Sequence, residues 1–148
     1  MKRMAFVVCL LSLSSIIRAD FLSAGTWVQR GHEKGLTMTV EEVGTGLKLT
    51  YKGVGPDAAA FDIMTILTQL DGKDAPVLVN GKPTGQTMAI RKIDSHHTFT
   101  VLKSQGKEVG TSKAELSADG KVLKVENKMG APGANGEGVT AVEYWDKK

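Results

Sequence analysis

The sequence has a single cysteine, Cys9, which lies in the apolar stretch at the N-terminus. The chain beyond that stretch therefore has no thiol, and this excludes disulfides and thiolate metal ligands there. A domain without cross-links must be held together by its hydrophobic core. The chain of 148 residues has the length of one domain, and a domain of that size buries about two-thirds of its unfolded surface.

Long apolar runs are also scarce. The longest, residues 4–17, follows Lys2 and Arg3 and is too short for a membrane span, which needs about 20 residues. A basic segment followed by such a run is typical of a secretory signal peptide. We expect residues 1–19 to be a cleaved leader, with cleavage after Ala19 as the first choice and after Ala24 as the second. The product would be secreted or periplasmic, with no membrane span.

The sequence lacks an excess of positive charge once this leader is set aside. It has 19 basic and 16 acidic residues, and Lys2, Arg3 and Arg18 belong to the leader, which leaves 16 of each sign. A nucleic-acid partner requires a basic surface, so the balance argues against one. Aromatic residues make up only 5% of the chain, too few for a surface that stacks on carbohydrate.

What the chain does contain is alternation of apolar and polar residues with a period of two, as in Leu36–Glu41 and Leu47–Lys52. This pattern is typical of half-buried strands. The dipeptides Asp71-Gly72, Asn80-Gly81 and Asp119-Gly120 are expected in turns where both residues have positive φ. Together the spacing predicts about ten strands, near residues 26–30, 36–43, 46–52, 60–69, 76–79, 86–93, 98–104, 108–117, 121–129 and 138–146.

These observations predict an all-β fold, an antiparallel up-and-down meander that forms a closed or half-open barrel, with residues 20–148 as one domain. Residues 57–70 are the one candidate helix, but their β-branched residues fit a strand better. The glycine-rich segment 130–138 is predicted to be a mobile surface connection before the last strand.

The sequence gives little support for a metal site or a catalytic site. A zinc site needs three or four convergent ligands, so His32 would have to approach His96 or His97 together with Asp94 or Glu33. Solvent-exposed turn histidines are the simpler interpretation. Asp62 is either an inward polar group that needs a partner or a solvated one. Serine-nucleophile, dinucleotide and phosphate-loop motifs are absent from the sequence, so we predict no cofactor, no metal and no enzymatic activity.

The start Gly25-Thr26-Trp27, the meander and the ending Tyr144-Trp145-Asp146-Lys147 resemble the calycin superfamily, and most of all its lipocalin-like and fatty-acid-binding-protein-like barrels. The runs 70–77, 91–94 and 116–121 also resemble a family of small exported bacterial β proteins. Two departures bear on function. Lipocalins carry an arginine near the last strand and fatty-acid binders hold the ligand carboxylate with one, yet no arginine follows Arg91. The helical lid of fatty-acid binders is missing as well.

The first functional hypothesis is therefore a barrel that binds a small apolar or amphipathic ligand in its interior. The positions expected to face inward in the alternating pattern give the candidate cavity-wall residues: Met38, Leu49, Tyr51, Ile63, Ile90, Phe99, Val101 and Val125. Trp27 with Tyr144 or Trp145 is expected to plug one barrel end where the first and last strands meet. Inward threonines in Thr98–Val101 would instead accompany a filled core.

Two alternatives remain open from the sequence. In the first, the protein is a ligand-free structural or interaction module that binds another cell-envelope protein. In the second, it is a hydrolytic or metal enzyme with an unrecognised site. The volume of the barrel interior distinguishes the ligand-binding hypothesis from the module: a void of several hundred Å³ favours a ligand, and a solid core of side chains favours the module.

Overall fold

A computed structural model describes residues 21–31, 35–53, 63–130 and 138–148, and these form ten β-strands and no helix. The all-β prediction is confirmed. The strands are β1 (Gly25–Gln29), β2 (Leu36–Val43), β3 (Gly46–Gly53), β4 (Met64–Thr68), β5 (Asp71–Val79), β6 (Lys82–Lys92), β7 (His97–Ser104), β8 (Lys107–Leu116), β9 (Val122–Met129) and β10 (Val139–Lys147).

The strands close into a barrel in which every strand pairs antiparallel with its neighbours in sequence. Closure is completed by β1 and β10, where Trp27 lies opposite Lys147 and Gln29 opposite Trp145. Of the predicted alternatives, closed or half-open, the barrel is closed. A closed barrel leaves no strand edge without a neighbour, so each of the ten strands pairs on both sides.

The barrel has two ends, which we name after residues at each. At the Phe21 end lie residues 21–24 and the connections from β2 to β3, β4 to β5, β6 to β7 and β8 to β9. At the Asn80 end lie the connections from β5 to β6 and from β7 to β8. The two core residues Phe21 and Leu22 precede β1 and are almost fully buried, at 3% and 5% exposure. Because they pack in the same cluster as Leu47, Leu70 and Leu123, they close the Phe21 end.

The core lies on the inner side of the sheet. Its largest fully buried side chains are Trp27, Leu47, Ile66 and Val40. A smaller cluster of Ile66, Ala75 and Val77 joins β4 to β5. These residues occupy alternate positions on their strands, as the period of two requires.

The turns differ in part from the prediction. Asn80 and Gly81 both have positive φ, at 50° and 79°, as expected for that dipeptide. Asp71 does not have positive φ, since Leu70 (φ 56°) takes the left-handed position and Asp71 already begins β5. Asp119 likewise leaves the left-handed position to Gly120. Both aspartates accept a hydrogen bond from the amide two residues on, which stabilises the turn without positive φ at Asp.

Several predictions concern residues outside the described ranges: the leader at 1–19 with Cys9, the residues His32 and Asp62, and the segment 131–137. Within the described part of the chain, no helix has the length and apolar character needed to cross a membrane.

Candidate functional site

The barrel interior contains a cavity of about 230 Å³. Five of the predicted wall residues line it, namely Met38, Leu49, Tyr51, Ile90 and Val125. They lie on β2, β3, β6 and β9, at positions whose side chains point into the barrel. The structure therefore brings these five together around one space; that they contact a ligand stays a prediction.

The other three predicted wall residues do not line this cavity, and their placement is corrected. Ile63 precedes β4 and is 44% exposed. Phe99 lies opposite Arg91 and Lys113 in the sheet. Directly opposed residues of an antiparallel pair point to the same face, so Phe99 and Val101 face outward. The inward positions of β7 belong to the buried Thr98 and Thr100.

One half of the cavity wall is apolar. It comes from β2, β3, β4 and β6 and from the Phe21 end, and none of its described residues has a charged or amide side chain. Its members are Met38, Leu47, Leu49, Tyr51, Met64, Met88, Ile90, Phe21, Leu22 and Leu70. This half offers dispersion contacts and a single phenol hydroxyl.

The opposite half of the wall, from β7 to β10, carries polar groups in register. Thr100 lies opposite Ser112, which lies opposite Asn127, so two hydroxyls and an amide form a row across three strands. Thr100 and Ser112 are 5% and 7% exposed. The structure records no side-chain hydrogen bond for any of the three in the described part of the chain, and all three line the cavity. These side-chain groups can therefore form hydrogen bonds with a polar group of a ligand.

Glu143 lies beside this row. It lies opposite Val125, which is two residues from Asn127 along β9, and it is the only charged side chain among the described residues that line the cavity. No ion pair or hydrogen bond of its carboxylate occurs within the described ranges. Trp145, two residues further along β10, has the same inward orientation.

The cavity also presents two aromatic rings. Tyr51 and Trp145 contact each other edge to face, with ring centroids 5.8 Å apart and planes inclined by 72°. Burial raises the pKa of the Tyr51 phenol well above its usual range, and the negative charge of Glu143 raises it further. The phenol is therefore a neutral hydrogen-bonding group across the physiological pH range.

The predicted plug residues separate into two groups. Trp27 and Trp145 are buried in the main core cluster. Tyr144 instead faces outward, where the guanidinium of Arg30 lies 5.4 Å from its ring centroid. Arg30 also donates to both carboxylate oxygens of Asp146, at 3.0 and 2.6 Å, so its side chain joins β1 to β10 on the outer surface. Sequence reasoning missed Arg30 because it sought an arginine only near the last strand.

The outer surface carries a larger groove of about 390 Å³. Outward Phe99 lies in it between charged residues, including Arg91, Lys113, Glu115 and Glu126. This groove is built from flexible charged side chains on the outside of β6 to β9. The interior cavity is smaller, but its lining comes from eight of the ten strands and from the Phe21 end, so we base the functional argument on the interior.

His96 lies in the connection between β6 and β7, and His97 is the first residue of β7. Nδ1 of His97 lies 2.8 Å from Oδ1 of Asp94, and the backbone amide of His96 donates to the same oxygen. These hydrogen bonds lower the pKa of the Asp94 carboxyl, the backbone bond from His96 most of all. No group of three or more potential metal ligands occurs among the described residues, and His32, on which the zinc hypothesis depends, lies outside them.

Comparisons with family models, with curated proteins and with solved structures found no match to this chain. The closed ten-strand antiparallel barrel is compatible with a calycin-like barrel.

Proposed function

We propose that this protein is an exported binding protein, not an enzyme, that takes up a small amphipathic molecule in its barrel interior in the manner of calycin-superfamily proteins. The observation that carries the proposal is the two-sided cavity wall. One half is apolar, and the other carries two buried hydroxyls and a half-buried amide that form no side-chain hydrogen bond among the described residues.

The volume of the cavity limits the ligand. An apolar cavity of roughly 150 Å³ accepts benzene, so 230 Å³ suits a molecule of about ten non-hydrogen atoms. Long-chain fatty acids are too large for this space. Contact with the apolar half would contribute about 25 cal/mol per Å² of apolar surface removed from water, and hydrogen bonds to the polar row would orient the ligand.

Export is part of the same proposal, and the burial of Phe21 and Leu22 supports the first of the two predicted cleavage sites. Cleavage after Ala24 would remove both core side chains, whereas cleavage after Ala19 retains them. When the full chain is expressed in bacteria with a periplasm, intact-mass measurement of the periplasmic protein should give a chain that begins at Asp20. A chain that keeps Met1 and stays in the cytoplasm would contradict export.

The outer groove favours a second candidate function, a surface module that binds another envelope protein. Phe99 and the exposed Ile93 lie in this groove, and an aromatic residue ringed by charges is typical of a protein-binding surface. In that case the barrel interior would bind nothing and changes in the groove would abolish the interaction.

One experiment distinguishes the two functions. The protein is purified from the cells that make it, extracted with organic solvent, and the extract is searched by mass spectrometry for a compound in near-equimolar amount. The inward variant Ser112→Leu should lose this compound because leucine fills part of the cavity. The matched outward variant Thr111→Leu should retain it. If no compound is enriched, or if Ser112→Leu retains it fully, the interior does not hold a ligand.

A further inference from the structure

We propose that the ligand of the interior cavity is a small amine with a compact apolar body, whose protonated nitrogen binds the carboxylate of Glu143 beside the rings of Tyr51 and Trp145. This inference rests on the proposed function and names the chemical class of ligand for the same site.

The first argument for an amine ligand is the charge of the cavity wall. Among the described residues that line the cavity, Glu143 is the only charged one, and none of them is a lysine, arginine or histidine. Its carboxylate forms no ion pair in the described part of the chain. A partly buried carboxylate without a partner is costly, and a bound cation would remove that cost. A ligand carboxylate would be repelled by the same charge.

The second argument for an amine ligand is the pair of aromatic rings in the cavity. Tyr51 and Trp145 meet edge to face at 5.8 Å between centroids, and both line the cavity. Trp145 follows Glu143 by two residues on β10, so their side chains leave the same face about 7 Å apart. Electron-rich ring faces attract ammonium groups, most strongly where water is excluded. A carboxylate beside two such rings is suited to an ammonium group.

The polar side chains next to Glu143 supply further hydrogen-bond acceptors for the nitrogen of the ligand. A protonated primary amine has three N–H donors and no acceptor. Glu143 accepts one or two of these hydrogen bonds. The amide oxygen of Asn127 and the hydroxyl oxygen of Ser112, on the adjacent strands β9 and β8, accept from a nitrogen placed beside Glu143. The apolar body of the ligand then lies towards Leu47, Leu49 and Leu123.

The test uses three probes that share one phenyl body and differ in their polar group: phenethylamine, phenethyl alcohol and phenylacetate. Binding to the full-length protein is measured by isothermal titration calorimetry. We expect phenethylamine to bind at least about tenfold more tightly than the alcohol, because hydrogen bonds to a charged group are stronger than neutral ones. Phenylacetate should bind most weakly.

The variant Glu143→Gln keeps the shape of the side chain and removes its charge. It should weaken phenethylamine binding by about tenfold or more and leave the alcohol nearly unchanged. Glu108→Gln is the matched control, since it makes the same change at an exposed position of β8 that lines neither the interior cavity nor the outer groove and should affect none of the probes.

The outcomes separate the two proposals. If none of the three probes binds the wild-type protein, the interior site and the proposed function fail together. If the alcohol binds but the amine has no advantage, or if the advantage survives Glu143→Gln, the amine inference alone is overturned. If Glu143→Gln does not fold, the order of the three probes on the wild-type protein decides the inference by itself.

Discussion

Gly44 and Gly46 flank the turn between β2 and β3, and each is required for a different physical reason. Gly44 has a φ of 60°, with open space where a side chain would lie. Gly46 has an ordinary φ, but a Cβ atom there would lie inside contact distance of the carbonyl oxygen of Thr68 and the side chain of Gln69. The first position needs a residue that tolerates left-handed φ, whereas the second needs the absence of a side chain.

This difference makes a testable prediction. Gly46→Ala should lower the free energy of unfolding by about 1–3 kcal/mol, because the backbone of β3 or β4 must move to admit the methyl group. Gly44→Asn should cost less than about 1 kcal/mol, since asparagine tolerates left-handed φ. Urea denaturation of both variants measures the two costs. Equal costs would contradict the steric account of Gly46.

Tyr51 provides a prediction of pH dependence. Its phenol keeps its proton in the folded protein at a pH where the unfolded chain releases it, because burial raises its pKa. Its contribution to stability is therefore complete below about pH 10, the ordinary pKa of tyrosine, and is lost as pH rises above that value. The free energy of unfolding of the wild type should decline more steeply between pH 9 and 11 than that of Tyr51→Phe.

The control for this prediction is Tyr144→Phe, which removes a hydroxyl from the outer surface. Urea denaturation across the same pH range should give the wild-type decline for this variant. Parallel curves for the wild type and Tyr51→Phe would show that the phenol is accessible to solvent in the folded protein.

At the scale of the element, the short segment before β1 contributes to the core although it is not part of a strand. Removing residues 20–24 deletes both Phe21 and Leu22, whose burial closes the Phe21 end. We expect the free energy of unfolding to fall by at least about 3 kcal/mol, in line with the loss of large core side chains. Ser23→Ala, which alters the contact of Ser23 with Lys147 on β10, serves as the comparison and should cost far less. A truncated protein of wild-type stability would contradict the assignment of this segment to the core.

The ion pair between Arg30 and Asp146, where β1 meets β10, leads to a second prediction about these elements. The two hydrogen bonds from Arg30 hold the pKa of Asp146 below its usual range, so this pair stabilises the fold above the ordinary carboxyl pKa and is lost as pH falls through the lowered one. Asp146→Asn should reduce the melting temperature slightly at pH 7, with a smaller difference in high salt and near pH 2. Glu41→Gln, which breaks the longer pair with Lys48 at 3.6 Å, should show no such effect.

At the scale of the whole molecule, closure makes the order of the strands cyclic. The amide of Lys148 donates to the carbonyl of Thr26 at 2.9 Å, so the C-terminal residue lies beside the start of β1. A circular permutant that joins Lys148 to Asp20 through a short glycine-serine linker and opens between Gly81 and Lys82 should keep the same circular dichroism spectrum. Its unfolding should remain cooperative, because every strand keeps both neighbours.

A permutant opened between Thr100 and Val101, inside β7, is the control and should fold poorly, since it divides a strand that pairs on both sides. Equal stability of the two permutants, measured by urea denaturation, would contradict the view that the strands and not the connections hold the barrel together.

Much of the fold could be predicted from local patterns. Alternation of the kind seen along Leu36–Glu41 and Leu47–Lys52, with glycine-containing turns between the runs, predicted all ten strands, although β5 begins at Asp71 instead of residue 76 and β6 at Lys82 instead of residue 86. The turn at Asn80-Gly81 was predicted correctly because its conformation depends on the φ preferences of these two residues alone. Asp71-Gly72 was not, since the chain places Leu70 in the left-handed position and begins β5 at Asp71.

The candidate site was only partly predictable. Parity placed Met38, Leu49 and Tyr51 correctly because their strands have one apolar and one polar face. In β7 both faces are mixed, and the larger residues Phe99 and Val101 suggested the wrong face. Glu143 was missed, although it shares the parity of Trp145, which was expected to face inward.

The amino-acid sequence by itself determined that the chain forms short antiparallel strands, because alternation and turn chemistry act between residues close in sequence. Only the tertiary structure decided which face of β7 points inward and that Glu143 shares one cavity with Tyr51. Those outcomes depend on the register between strands and on the pairing of β1 with β10, which joins residues more than a hundred positions apart. The physical reason is that alternation defines two faces of a strand, but only closure of the sheet makes one of them the inside.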